Sequence, residues 1–189
     1  IEQTAKSSAD HWAFSTPQPP AVPSVRNAAW IRTPVDAFIL QKLEEKGIQP
    51  NTTADKVTLL RRAYLVLIGL PPTPDEVEAF LADKSPDAFD HVIDQLLEKP
   101  QYGERMARRW LDVARYAESN GYEEDKYKPH AWRYRDYVID SFNQNKPIDR
   151  FIIEQIAGDE IKGSNMETQV ATTFLRLGTW DNEPADELL

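Results

Sequence analysis

Apolar residues recur at three- to four-residue spacing through most of the chain, and proline, glycine or a capping residue interrupts them at short intervals. Val35, Phe38, Ile39 and Leu43 predict a first helix, opened by Thr33 and Pro34, with Asp36 near the positive end of its dipole and Gly47 as its stop. Val57, Leu60, Tyr64, Leu67 and Ile68 predict a second over 54–69, and the additional Leu59, Leu65 and Val66 argue for burial on more than one side. Gly69-Leu70-Pro71-Pro72 ends it. Thr73-Pro74-Asp75-Glu76 opens a third with a capping-box acid and the stripe Val77, Phe80 and Leu81. Ser85-Pro86-Asp87 opens a fourth carrying Phe89, Val92, Ile93, Leu96 and Leu97, bounded by Pro100.

A fifth helix over 102–117 is predicted by Met106, Trp110, Val113, Ala114 and Ala117, broken by Ser119-Asn120-Gly121. Trp132, Arg135, Val138, Ile139 and Phe142 predict a sixth over 130–142, and Phe151, Ile152 and Ile156 a shorter one over 149–157. Val170, Phe174 and Leu177 predict a last helical segment over 166–177. Alternating strand patterns and a constant repeat period are both missing, so the expected fold is all-α, an irregular multi-helix bundle. Residues 1–30 have no sustained period, and Pro17, Pro19, Pro20 and Pro23 interrupt them, which predicts an extended proline-rich arm. Trp12, Phe14 and Trp30 give that arm apolar surface worth burying. The expected organisation is arm 1–30, helical domain 31–180 and acidic tail 181–189.

Composition narrows the chemistry. In 189 residues, 22 basic side chains face 31 acidic ones for a net charge of -9, and 41 % of residues are apolar, enough for a sizeable core. The acidic balance argues against broad capture of nucleic-acid phosphates, although a local basic patch is compatible with it. With no cysteine, this chain holds no disulfide, zinc-thiolate site, iron–sulfur cluster or thioether-bound haem. Uncharged apolar runs fall short of a membrane span, so no transmembrane segment is expected, and residues 1–10 lack a positive region followed by an apolar core.

The densest chemistry lies between Glu104 and Asp136. Arg105, Arg108, Arg109, Asp112 and Arg115 share the fifth predicted helix, where Arg108 and Asp112 stand at i,i+4 and Asp112 and Arg115 at i,i+3. One reading is a cationic cleft for a carboxylate, sulfate or phosphate; the other is an ion-pair network joining helices. Arg105, Arg109, Arg115, Trp132 and Arg133 are the candidates for contact with a ligand or partner. The catalytic role is unassigned; Asp112, His130 and Asp136 are its candidates, His130 because imidazole exchanges protons near neutral pH.

No metal site is expected. Glu118, Asn120, Glu123, Glu124 and Asp125 surround a glycine turn without EF-hand spacing, and His11, His91 and His130 show no ligand spacing. Acidic pairs alone do not identify a glycosidase, and Gly69 and Gly103 belong to no phosphate loop. Trp110, Tyr116, Tyr122, Tyr127, Trp132, Tyr134 and Tyr137 read either as core or as a face for a partner or sugar.

Taken in order, HWAF at 11–14, Trp30 with TPVDAFIL at 33–40, LLRR at 59–62, GLPPTPDEVEAFL at 69–81, YGERMARRWLDVARYAESNGYEED at 102–125 and AWRYRDYVIDSFNQNKPIDRFIIEQIAGD at 131–159 resemble the DUF1549, or PSCyt2, family of planctomycete-type multidomain proteins. The resemblance covers nearly the whole chain. It implies an exported, periplasmic-type polypeptide with a cytochrome-like domain upstream and a DUF1553 domain downstream. Any c-type haem would sit in that upstream domain, since no CxxCH occurs here. It carries no established reaction. Three functions stay open: a non-catalytic interaction or scaffold domain packing against its neighbours, an enzyme acting on a glycan or polyanion, and a carbohydrate-binding module.

Overall fold

The computed structural model describes residue 13, residues 15–121 and residues 125–179. His11, Trp12 and Phe14 of the expected arm, Tyr122, Glu123 and Glu124 of the acidic loop, and the tail 181–189 lie outside the described residues. Eight α-helices account for the described chain, with one isolated antiparallel bridge between Ser119 and Tyr127 and no strand, so the all-α expectation holds. The chain divides into two units at Thr53/Ala54.

In the first unit, residues 16–25 form neither helix nor strand, and a short 3-10 turn, Ala28–Trp30, precedes α1 (Pro34–Glu45). Thr33 and Asp36 close the predicted N-terminus as a capping box: the Thr33 amide donates to Asp36 Oδ2 at 2.7 Å. Gly47, at φ +66°, ends α1 as its spacing predicts, and the Ile48 amide reaches back to the Leu43 carbonyl at 2.9 Å. Upstream, the amides of Arg26 and Asn27 donate to the Glu44 carboxylate at 3.0 and 3.1 Å, which pins the extended segment to the end of α1. The buried residues of α1 are Ala37 and Leu40, whereas Val35 and Ile39 of the predicted stripe are exposed.

The second unit is an irregular bundle of α2 (Lys56–Leu67), α3 (Pro74–Ala82), α4 (Ala88–Leu97), α5 (Pro100–Val113), α6 (Trp132–Asn143), α7 (Ile148–Ala157) and α8 (Met166–Ala171), closed by a 3-10 turn at Thr172–Arg176. It has two apolar clusters. Leu60, Tyr64, Ile68, Phe80, Ala88 and Leu96 join α2, α3 and α4. Ala107, Tyr134, Tyr137, Val138, Phe151 and Leu177 join α5 to the helices after it. Of the additional apolar residues of α2, Leu59 and Leu65 are half-buried and Val66 is exposed.

Capping fixes the first cluster's turns. Thr73 and Glu76 form the predicted box, and Glu76 also accepts from Lys99 Nζ at 2.8 Å, linking the start of α3 to the start of α5. Burial alone would raise the Glu76 pKa, but the hydrogen bonds from Lys99, Thr73 and Tyr64 prevail and hold it at about 2. Pro100, expected to bound the fourth helix, does so as the first residue of α5.

The second cluster is organised by buried polar atoms. On α6 the buried residues are Tyr134, Tyr137, Val138 and Ser141, while Trp132, placed on the sequence-predicted face, is half exposed. On α7 they are Phe151, Glu154 and Gln155, and the predicted Ile152 and Ile156 point outward. The two departures share one cause. Tyr134 buries its ring because its hydroxyl donates to Gln155 Oε1 and accepts from Trp110 Nε1 at 2.9 Å; Tyr137 buries its ring because its hydroxyl donates to Glu154 at 2.9 Å. Glu154 in turn accepts from Lys146 Nζ at 2.6 Å and Arg150 Nε at 2.7 Å. Phe151 fills the space between, stacked on Tyr137 at 5.8 Å and edge-on to Trp110 at 5.0 Å.

Candidate functional site

α5 ends four residues before its sequence-predicted limit. Arg115 occupies the left-handed region at φ +56°, its amide bonded to the Asp112 carbonyl and the Tyr116 amide to the Leu111 carbonyl at 2.9 Å. That is the two-bond helix stop in which glycine is the ordinary left-handed residue. Here an arginine fills it. The chain then runs through a short ladder, with the Asn120 amide on the Lys126 carbonyl at 2.9 Å and the Lys128 amide on the Glu118 carbonyl at 2.7 Å, before α6 begins. Asp125 steadies the turn by accepting from the Gly121 amide at 2.9 Å.

This turn, the start of α6 and the closing 3-10 turn enclose a cleft of about 820 Å³. Arg115, Lys128, His130, Arg133 and Arg176 line it together with apolar side chains that include Phe174, and no Asp or Glu is among its described lining residues. Lys128 Nζ donates to the carbonyls of Leu177 and Gly178 at 3.3 and 2.9 Å. The Arg115 guanidinium lies over the same Gly178, 3.6 Å from where a Cβ would stand. Burial, with the charge of Arg176, holds the Lys128 pKa below its ordinary value.

The sequence candidates therefore separate. Arg115, His130 and Arg133 share the cleft. Trp132 stands beside it on α6, with the Arg133 guanidinium 5.5 Å from its ring centroid. Asp136 is held by its neighbour Arg135 at 3.0 Å, and Arg135 also meets Glu118 at 3.4 Å. Asp112 lines a second, smaller cleft with Glu104, Arg108, Arg135 and Arg115, so Arg115 borders both clefts. Thus the two carboxylate candidates are outside the cleft that holds His130. Arg109 is exposed on α5, and Arg105 lies against Gly69 with its Nε buried and without a hydrogen-bond partner.

Among the described residues no ion pair joins Arg108 to Asp112 or Asp112 to Arg115. Because α5 stops at Val113, Arg115 leaves the helical path on which that spacing rests. The buried charge network forms instead around Glu154. Of the aromatic set, Trp110, Tyr134 and Tyr137 belong to the core, whereas Tyr127 and Trp132 are exposed. Lys128 and Arg176 were not legible as site residues: neither lies in the 104–136 helix pattern as a spaced partner, and only folding brings the C-terminal turn to Arg115.

Among the described residues no group of three or more metal-ligating side chains gathers, and no helix is long and apolar enough to cross a membrane. The family model of PSCyt2, described as a protein of unknown function (DUF1549), matches residues 34–188. No curated protein and no solved structure matches the chain.

Proposed function

The chain belongs to the PSCyt2 (DUF1549) family, and from that premise and the surface of α7 we propose a non-catalytic interaction or scaffold domain of an exported, haem-associated multidomain protein. The carrying observation is a helix whose outer face is apolar. Ile148, Ile152, Ile153 and Ile156 are 42–64 % exposed, and the first, second and fourth stand at i, i+4 and i+8. Ile148, Ile152 and Ile156 follow one side of the helix, with Ile153 on its flank beyond Asp149, and exposed aliphatic side chains so aligned are the kind that contact another protein surface. The family resemblance supplies the partner class, the neighbouring cytochrome-like and DUF1553 domains. In this reading residues 1–30 act as an arm and 181–189 as an acidic tail, and haem belongs to the neighbour.

Glycan or polyanion chemistry is the second reading, favoured by the cationic cleft. Binding there is better supported than turnover, because His130 has no carboxylate of the candidate pair beside it. Hydrogen exchange across α7, compared with and without the neighbouring domain, tests the docking reading.

A further inference from the structure

We infer that the outer face of α7 takes an amphipathic helix of a protein partner, one that carries an aliphatic stripe with lysine or arginine at both of its ends. The inference rests on the reading of α7 as a docking face and adds the chemistry of what docks there. First, the face cannot be withdrawn. Tyr134 holds Gln155 and Tyr137 holds Glu154 on the inner side of α7, and a Cβ at Gly158 would stand 2.0 Å from the Thr168 carbonyl oxygen. Rolling α7 to cover Ile148, Ile152 and Ile156 would break those hydrogen bonds and open that close approach, so their exposure is built into the fold.

Second, acid rims the isoleucines at both ends. Asp149 stands beside the start of the stripe, and Asp159 and Glu160 follow directly after α7, all three exposed. Asp149 suits the first turn, where the helix dipole favours an acid. Asp159 and Glu160 do not: they stand beyond the negative end of the dipole, where carboxylates are disfavoured, so helix stability gives no reason for them. Among the described residues none of the three forms an ion pair. Arg150 is tied to Glu154 at 2.7 Å, Lys146 to Glu154 and Glu167, and the exposed Lys162 pairs with neither Asp159 nor Glu160.

Third, the acid rim selects among occupants. Membrane surfaces are anionic, and helices that lie on them carry Lys and Arg beside the apolar face. A second copy of this chain brings acid against acid, since an antiparallel pair of α7 helices sets Asp149 of one copy opposite Asp159 and Glu160 of the other. An aliphatic helix with basic ends meets both the stripe and the rim. Its cations stand about 15 Å apart, the rise from Asp149 to Asp159, which is about ten residues of the partner helix.

The probe is a synthetic helical peptide with a leucine stripe and lysines at both ends; its twin has glutamate at each lysine position. Each is titrated calorimetrically into the full chain at low and high salt, with hydrogen exchange to locate it. The lysine peptide should bind one-to-one, roughly 10-fold or more tighter than its twin, weaken with salt, and protect 148–157. Asp159→Asn with Glu160→Gln should weaken it roughly 5-fold or more without lowering the melting temperature. Asp90→Asn with Asp94→Asn on α4 removes the same charge elsewhere and should leave it unchanged. Equal binding of the two peptides, no binding by either, protection away from α7, or equal effects of the two double variants overturns the inference. Protection of α7 by the neighbouring domain that Asp159→Asn with Glu160→Gln leaves unchanged also overturns it, while the docking reading stands. Protection by the lysine peptide and not by the neighbouring domain supports it, while removing the neighbour from that reading.

Discussion

Lys128 Nζ donates to the Gly178 carbonyl at 2.9 Å, joining the turn after α5 to the chain's closing turn. This contact makes one wall of the cationic cleft and is also a structural tie, since the ammonium satisfies two carbonyls near a buried Leu177. Lys128→Met should therefore destabilise the unit by about 1–2 kcal/mol, because those carbonyls lose their charged donor. Urea unfolding measures it; the slope with denaturant should stay constant.

Arg115→Gly should stabilise the protein by up to about 1 kcal/mol, since glycine takes the left-handed helix stop without a Cβ penalty. Thermal unfolding at neutral pH reads this directly. A fall in melting temperature would mean that the arginine side chain contributes more to the folded state than its backbone costs.

Gly158 tolerates no side chain. A Cβ built there stands 2.0 Å from the Thr168 carbonyl oxygen and 2.3 Å from that of Glu154, both backbone atoms, so the end of α7 and the body of α8 would have to separate. Gly158→Ala should cost about 3 kcal/mol or more. Loss of the sharp thermal transition, or a large drop in its midpoint, is the expected result.

Glu154 links Tyr137, Lys146 and Arg150 beneath the bundle surface. Burial would raise its pKa, but its three donors outweigh that and lower it. Glu154→Gln should cost about 1–2 kcal/mol: Lys146 keeps its pair with Glu167 at 2.8 Å, but the nearly buried ammonium and Arg150 both lose the Glu154 carboxylate. Its contribution is present above the unfolded carboxylate range and is lost as pH falls through the lowered folded value.

Acid should reach Glu76 in the same direction. Its folded pKa is about 2 against an ordinary 4.5, so between those values the unfolded chain binds the extra proton and stability falls with pH. Allowing for solvent screening of a partly exposed pair, the loss is about 1–2 kcal/mol. Urea midpoints at pH 7, 4 and 2.5 should decline less steeply in Glu76→Gln than in the parent.

The starts of α1, α3 and α5 were legible because they are chemical: Thr33 with Asp36, Thr73 with Glu76, and Pro100 each act where their residue types predict. The faces of α6 and α7 were not, since counting apolar residues ranks Ile152 above Gln155. Hydrogen bonding reverses that order, and the tyrosines take their polar partners inside with them. The cleft was half legible. Arg115, His130 and Arg133 belong to the charged stretch that the sequence singles out, but Arg176 arrives from a distant turn, and no spacing rule reports that Arg115 leaves its helix.

Hydrogen exchange tests the interaction-domain reading most directly, comparing this chain alone with the same chain joined to its neighbouring domain at equal pH and matched concentration. The α7 segment 148–157, whose isoleucines are exposed in the isolated chain, should gain contiguous protection, and Ile152→Lys with Ile156→Lys should abolish that gain while leaving the unfolding midpoint within about 0.5 kcal/mol of the parent. Unchanged exchange across α7 in the joined protein, with both domains shown to be folded, would contradict it.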